Sequence, residues 1–502
     1  MLEDVRPSKT LSQLLAGFGV SAVPEADICD VVLDSRQAGP GALFIACAGA
    51  ETHGLRYASA AVAAGAAAVA WEPADGVEPP TLDVPSVAVP ELSRHAGDIA
   101  ARLYDRPAES LFVAGVTGTD GKTSCAWLIA GALAALHGGC GYLGTLGFGA
   151  VDDLAAASHT TPDAARMQYW LARMVASGYT AAALEVSSHA LAQHRSDAVA
   201  FDVAVLTQIG RDHLDYHGDE AAYVAAKRRL FDAPGLRFAV LNMDDPIGRK
   251  WLAAADDGVA RMAYGQAEEV VRQRYFVSIA ALAATATGLA IEFETHKGRA
   301  RLETPLLGSF NAYNLAATLA VLLARDIPLD EAIGALAQVP TVPGRMERVA
   351  GREGQPVVVV DYAHTAGALE AALSAAAEHV EGRLLCVFGC GGDRDRGKRA
   401  LMGAAAAAHA DRFWITDDNP RSEDPGAIVA DVIDGIPDAV TAASRYDIVH
   451  DRAAAIAQAI AAAEAGDVVL VAGKGHETTQ QYGENRVPFD DRVAARRALE
   501  AA

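Results

Sequence analysis

A chain of 502 residues that is 51% hydrophobic and 21% charged has the makeup of a globular protein with ample core, not of a disordered or fibrous one. Acidic side chains outnumber basic ones 64 to 42, a net charge of −22, which disfavours nucleic acid and anionic lipid as partners. Met1-Leu2-Glu3-Asp4 lacks the basic and apolar segments of a secretion signal, and the apolar tract from Ala58 to Trp71 is too short for a bilayer, so a cytoplasmic protein without membrane insertion is expected.

Strand-like runs alternate with alanine-rich helical stretches, the pattern of parallel α/β sheets. At roughly 150 residues per domain the length allows about three domains. Two proline-bearing seams, Tyr104-Asp105-Arg106-Pro107 and Val339-Pro340-Thr341-Val342-Pro343-Gly344, divide the chain into 1–107, 108–340 and 341–502. The six cysteines are scattered and read as buried free thiols.

After the first seam the apolar run Leu111 to Val116 breaks into Thr117-Gly118-Thr119-Asp120-Gly121-Lys122-Thr123 and enters a helix. Glycines there let backbone N–H groups face an anion, the lysine adds a mobile positive charge, and the threonine hydroxyl suits Mg²⁺. The strict pattern wants glycine at Val116, so this is a short variant of the phosphate loop. Glu185 ends the strand Ala181 to Leu184, where ligands gather in open α/β sheets, although a helix-capping glutamate would look the same. A further strand, Phe201 to Leu206, leads to Asp212-His213-Leu214-Asp215-Tyr216-His217, whose histidine spacing alone says little. Lys227-Arg228-Arg229 lies on the helix Glu220 to Phe231 and reads either as an exposed basic face or as a triphosphate contact.

The third piece opens on the strand Pro356 to Asp361 and continues through Leu384 to Phe388. Its Gly389-x-Gly391-Gly392 loop completes no dinucleotide fingerprint and is followed by Asp393-Arg394-Asp395-Arg396. Behind the strand Arg412 to Thr416 stands Asp417-Asp418-Asn419-Pro420-Arg421-Ser422-Glu423. One arginine among carboxylates suits a zwitterion, while an ordinary Asn-Pro turn remains open. The strand Val468 to Ala472 ends in Gly473-Lys474-Gly475-His476-Glu477, which offers N–H groups and a carboxylate.

Taken together these motifs resemble the Mur ligases, ATP-dependent enzymes that extend the peptide of peptidoglycan precursors. Thr160-Thr161-Pro162, Glu185-Val186-Ser187-Ser188-His189, Gly308-x-x-Asn311-x-x-Asn314 and Asp361-Tyr362-Ala363-His364 complete the set, and their joint order is far more specific than any one of them. Leu33-Asp34-Ser35-Arg36 and the Asp418 to Arg421 loop are similar to the branch that adds meso-2,6-diaminopimelate to UDP-N-acetylmuramoyl-L-alanyl-D-glutamate. The resemblance implies a small α/β N-terminal UDP-binding domain, a central P-loop ATPase-type domain with a mostly parallel sheet, and a C-terminal Rossmann-like domain.

It also implies roles. Gly118, Thr119, Asp120, Gly121, Lys122, Thr123 and Ser124 would bind ATP, with Asn311, Asn314, Arg345 and Asp361 completing the nucleotide site. Thr123, Glu185, His213 and Lys227 would serve magnesium, two ions by the resemblance, one of them through a carbamylated Lys227. Leu33 and Ser35 would meet the uridine diphosphate, and Thr160, Thr161, Ser187, Gln193 and Arg195 the acceptor sugar and peptide. Arg394, Asp418, Asn419, Pro420, Arg421, Gly473 and Glu477 would hold diaminopimelate. The reaction expected is phosphorylation of the acceptor carboxylate by ATP, then amide formation, in a monomer whose third piece closes about the 340–344 seam. Asp120 replaces the family's usual asparagine, His159 stands where asparagine is usual, and Ala50-Glu51-Thr52 replaces a histidine-led stretch. Alternatives are the same chemistry on L-lysine, a folylpolyglutamate-type acceptor, and a nucleotide-dependent switch.

Overall fold

The computed structural model describes every residue except 1, 21–22, 50–51, 79–80, 137, 158, 255–257, 353 and 502. The chain forms two compact units that alternate along the sequence. Residues 1–278, 295–298 and 316–338 make the first, and residues 279–294, 299–315 and 339–502 the second.

The first unit holds a small parallel sheet and a larger, mostly parallel one. In the smaller one the strands Asp30–Val32, Ala42–Ala46, Ala68–Trp71 and Ser86–Ala88 lie in that order, all parallel. Every residue of Ala42–Ala46 is buried, as a parallel sheet covered on both faces requires. Helix Leu92–Leu103 covers one face, burying Leu92, Ala96, Ile99, Ala100 and Leu103 at helical spacing.

In the larger sheet the phosphate-loop strand, Phe112–Thr117, is central. Ala181–Glu185 and then Cys140–Gly144 flank it on one side. Val203–Leu206, Phe238–Asn242, Ala260–Gly265 and the start of Tyr275–Thr285 follow on the other, and all these pairs are parallel. Gly147–Ala150 and Asp153–Ala155 fold back antiparallel at one edge. Neighbouring strands are thus reached in opposite directions from Phe112–Thr117. Its C-terminal end is therefore a topological switch point, the usual ligand position in such sheets.

The second unit contains the sheet Glu347–Val349, Val357–Asp361, Val468–Ala472, Leu384–Phe388, Arg412–Ile415 and Tyr446–Ile448, parallel except for the first pair. Side chains alternate between two cores along its middle strand. Val468, Leu470 and Ala472 face helices Ala366–Ala377, Gly397–His409 and Pro425–Ile433, while Val469 and Val471 face Arg452–Ala461 and Asp491–Ala501. Each such valine or leucine, fully buried, contributes about 1.5–3 kcal/mol. Helices on both faces give the Rossmann-like arrangement expected for this piece.

Four cysteines are buried, but Cys29 is exposed, because it occupies the bend between Asp27–Ile28 and Asp30–Val32. Among the described residues no helix is long and apolar enough to cross a membrane.

Candidate functional site

The phosphate loop is laced to the next strand end. Gly118 has φ +150°, and a Cβ there would stand 1.8 Å from the Thr207 hydroxyl, so glycine is required. Thr207 Oγ1 donates to the Asp120 carbonyl at 2.6 Å, and Thr119 N donates to Gln208 O at 2.7 Å. The Asp120 carboxylate is exposed and accepts from Gln208 Nε2 at 2.7 Å. That contact ties the carboxylate to the loop after the strand Val203–Leu206.

Two lysines converge on the loop. Lys122 Nζ donates to Gly118 O at 2.9 Å and to Thr119 O at 2.7 Å. Lys227 Nζ donates to the same Gly118 carbonyl at 2.6 Å and lies 4.5 Å from the Tyr223 ring centre. At 1% exposure Lys227 is no part of a solvated basic face. Burial, and secondarily the neighbouring Lys122 charge, push its amine down to about 6. The helix spans Glu220–Arg228 and tightens into a 3₁₀ turn over Arg229–Asp232.

Glu185 is buried at the end of its strand, with donors on both oxygens. Thr123 Oγ1 donates to Oε2 at 2.9 Å and Thr145 Oγ1 at 3.2 Å, while Thr145 N reaches Oε1 at 2.7 Å and the Tyr142 hydroxyl reaches it at 2.5 Å. A Cβ on Gly144 would stand 2.2 Å from Oε1, so the carboxylate fills the space that glycine leaves. Glu185 is not the helix cap; Ser187 caps Ser188–Ala192 by accepting from Ala190 N at 3.1 Å. The sequence reading missed Tyr142 and Thr145, although a threonine just past a strand end was a usable signal.

The residues expected to meet the acceptor join the same network. Thr145 Oγ1 and Thr160 Oγ1 are hydrogen-bonded at 3.1 Å, and Thr161 Oγ1 donates to the Glu185 carbonyl at 2.8 Å while accepting from Ser187 N at 3.1 Å. Arg195 Nη1 donates to Thr161 O at 3.0 Å and its Nε to Gln193 Oε1 at 2.9 Å; Gln193 Nε2 reaches the Tyr216 hydroxyl at 3.0 Å. The sequence-separated motifs from Thr123 to Gln193 are therefore one hydrogen-bonded system.

His213 has φ +52°, lies 3.3 Å from Asp212, and packs against His189 with ring centres 4.7 Å apart. No group of three or more His, Cys, Asp or Glu side chains converges to hold a metal among the described residues. His213 also belongs to a cluster of rings with His189, Tyr216 and His217. Thr123 and Glu185 present oxygens 2.9 Å apart, and such a pair fits Mg²⁺, which takes few protein ligands and keeps its waters. His159 is exposed.

In the small sheet, Leu33 is half-buried and Ser35 opens the turn Ser35–Gln37. Asp34 caps that turn, and the Arg36 side chain on it holds its carboxyl below the usual range. Ala50 and Glu51 lie outside the described residues, and Thr52 is exposed.

In the second unit the Asp361 carboxylate accepts from Met346 N and Ala363 N, each at 2.8 Å, while burial raises its pKa. The Arg345 guanidinium lies 5.0 Å from the Tyr362 ring centre. Asn311 Nδ2 donates to Leu307 O at 2.7 Å and Asn314 Nδ2 to Asn311 Oδ1 at 2.8 Å, so both amides brace the start of helix Phe310–Ala324.

The same unit assembles, at strand ends, the residues expected to hold the amino acid. Asn419 Nδ2 donates to Glu477 Oε2 at 2.9 Å. Lys474, wholly buried and not singled out from the sequence, ties both together, donating to Asn419 Oδ1 at 3.2 Å and Glu477 Oε2 at 2.9 Å. Asp418 is buried beside Gly473, where a Cβ would stand 2.7 Å from Oδ2, and burial foremost raises its pKa. Arg421 follows Pro420 in a left-handed conformation, φ +52°, and Nη1 donates to Gly392 O at 2.6 Å. Arg394 is exposed on the adjoining loop.

Three family models match the chain: the Mur ligase family catalytic domain at residues 28–104, the Mur ligase middle domain at 116–322, and the Mur ligase glutamate ligase domain at 344–475. The UDP-N-acetylmuramoyl-L-alanyl-D-glutamate–2,6-diaminopimelate ligase of Alkalilimnicola ehrlichii is 48% identical over 480 residues, covering 93% of this chain and 94% of its own. The enzyme of the same name from Coxiella burnetii is 44% identical over 492 residues, covering 98% and 99%. A solved structure of a ligase so named is 34% identical and superposes with a TM-score of 0.71 over 98% of this chain and 99% of that one. With matches of this length and identity, the chain belongs to the Mur ligase family.

Proposed function

We propose that this protein is the ATP-dependent ligase that adds meso-2,6-diaminopimelate to the D-glutamate of UDP-N-acetylmuramoyl-L-alanyl-D-glutamate in peptidoglycan synthesis. The observation that carries the reading is the continuous network from Thr123 of the phosphate loop through Glu185 to Thr160, Thr161, Ser187 and Arg195. It supports a site where a phosphoryl donor and an acceptor carboxylate meet. Residues 1–107, 108–340 and 341–502 are assigned to the UDP-sugar, ATP and amino acid respectively, and Leu33 and Ser35 to the uridine diphosphate. We place the enzyme in the cytoplasm as a monomer.

A carboxylate is a poor acyl donor because its leaving group would be oxide. Transfer of the γ-phosphoryl group of ATP to the γ-carboxylate of the D-glutamate gives an acyl phosphate and ADP. The amine of the incoming amino acid then attacks, and the tetrahedral intermediate collapses to an amide and phosphate. The protein's part is alignment and charge neutralisation. Gly118 to Ser124 bind the phosphates and Lys122 meets their charge. Thr160, Thr161, Ser187, Gln193 and Arg195 orient the acceptor, and Asn311, Asn314, Arg345 and Asp361 are assigned to the nucleotide. Thr123, Glu185 and His213, with a carbamylated Lys227, would hold magnesium, which when bound neutralises phosphate oxygens. A buried lysine whose amine is neutral near pH 7 is the form that adds CO₂, giving an oxygen-bearing anion. Asp418, Asn419, Arg421, Gly473 and Glu477 receive the amino acid, the arginine taking its distal carboxylate.

The test is phosphate release with UDP-sugar dipeptide against a panel of amino acids. Strict dependence on the dipeptide and on diaminopimelate is expected; ATP hydrolysis that ignores the amino acid would instead indicate a nucleotide-driven switch. Arg421→Ala should weaken diaminopimelate use by orders of magnitude and leave ATP binding intact. Unchanged diaminopimelate kinetics in that variant would refute the assignment.

A further inference from the structure

Past the last strand-end loop, and beyond the matched residues 344–475, the chain makes a hairpin from Thr479–Tyr482 and Asn485–Pro488. Its outer strand is exposed throughout, whereas its inner strand lies against the Asp417 to Arg421 loop. Arg421 N donates to Gln481 O at 3.1 Å, and Gly483 N donates to Arg421 O at 2.6 Å. Gln481 N donates to Asn419 Oδ1 at 3.0 Å. The buried Gln480 donates through Nε2 to Asp417 O at 3.2 Å, and the Tyr482 hydroxyl to Asp417 Oδ2 at 3.1 Å.

Both backbone groups of Arg421 are therefore held by the hairpin. That matters because Arg421 has φ +52°, a conformation that a non-glycine residue keeps only when its surroundings impose it. The conformation sets where the side chain leaves the backbone. Nη1 is engaged by Gly392 O, which leaves the Nε–Nη2 edge as the fork for a carboxylate. Bidentate recognition tolerates little displacement, and a 1 Å error in such a site costs about 100-fold.

We propose that this hairpin is the specificity element for the incoming amino acid. It fixes Arg421 in the left-handed conformation that aims its fork at the distal carboxylate, and Gln480 and Tyr482 are its positioning residues. The proposal rests on the functional reading above, since it names the ligand that Arg421 receives.

The experiment uses the full-length enzyme with the substitution Tyr482→Phe, which keeps the ring, and the pair Gln480→Ala with Tyr482→Phe. The KM for diaminopimelate should rise about 10-fold in the single and up to about 100-fold in the double variant. The KM for ATP should stay within about twofold of the parent, and the preference for diaminopimelate over lysine should shrink. An unchanged diaminopimelate KM in the double variant overturns the proposal. So does a uniform loss for all three substrates together with a lower melting temperature, which marks a merely structural cover. A parent enzyme that releases phosphate with another amino acid but not with diaminopimelate overturns the functional reading, and the proposal with it.

Discussion

At the scale of single residues, the site is governed by charges that the fold has had to place. Asp120 is anchored by Gln208 beside a loop that serves phosphates. An exposed carboxylate a few ångströms from anionic phosphates costs a fraction of a kcal/mol, so Asp120→Asn should lower the ATP KM by about two- to fivefold. An unchanged KM would show that the Gln208 contact already cancels the repulsion. The Glu185 side chain is buried, and Tyr142→Phe removes one of its hydrogen-bond donors. A stability loss of about 1.5–3 kcal/mol is expected in chemical denaturation, with a higher magnesium requirement for turnover. Lys227 gives a pH dependence. Its amine is near 6 in the folded chain and at the ordinary 10.5 in the unfolded one. Between those values the unfolded state binds the extra proton, so stability falls as pH drops from about 10.5 to 6 and levels off below. Lys227→Met should flatten that slope in CO₂-free buffer. The phosphate loop and Glu185 were readable in the sequence because strand ends advertise ligand positions. The depth of Lys227 was not, since a basic triplet on a helix looks the same whether it faces water or Gly118.

At the scale of elements, apolar runs identified the parallel strands well, because strands buried on both faces have no alternation to blur. Leu384–Phe388 and Val468–Ala472 have the expected ends, while Phe112–Thr117 is displaced by one residue, since Leu111 belongs to the turn that precedes it. The 479–488 hairpin escaped notice because Thr479 to Tyr482 is mostly polar, and its worth lies in what it grips. Helix Ala164–Ala176 shows an element serving a site. Its N-cap Asp163 accepts from Ala165 N at 3.0 Å and Arg166 N at 2.9 Å, immediately after Thr160 and Thr161. Asp163→Ala should cost about 1 kcal/mol of stability. It should also raise the KM of the UDP-sugar dipeptide more than that of ATP, as steady-state kinetics with each substrate varied would reveal.

At the scale of the whole molecule, two proline seams in the sequence suggested segments, but the compact units alternate along the chain. That could not be read locally, because it depends on contacts between residues far apart. In the second unit, Leu307 joins the core of the C-terminal sheet, and His379 accepts from Gly308 N at 2.8 Å and bonds Thr285 O at 2.6 Å. A fragment of residues 339–502 should therefore expose helix Ala366–Ala377 to faster amide exchange than the same helix in the full chain, and equal protection would contradict this. The middle strand of that sheet has a consequence for biosynthesis. Val468–Ala472 pairs with Val357–Asp361 on one side and Leu384–Phe388 on the other. On the ribosome those two strands appear roughly 107 and 80 residues before their shared partner, a delay of several seconds or more at about 5–20 residues per second. During that interval the nascent chain carries two unpaired apolar edges that can pair only with the wrong neighbour, the situation in which a holdase chaperone is most needed.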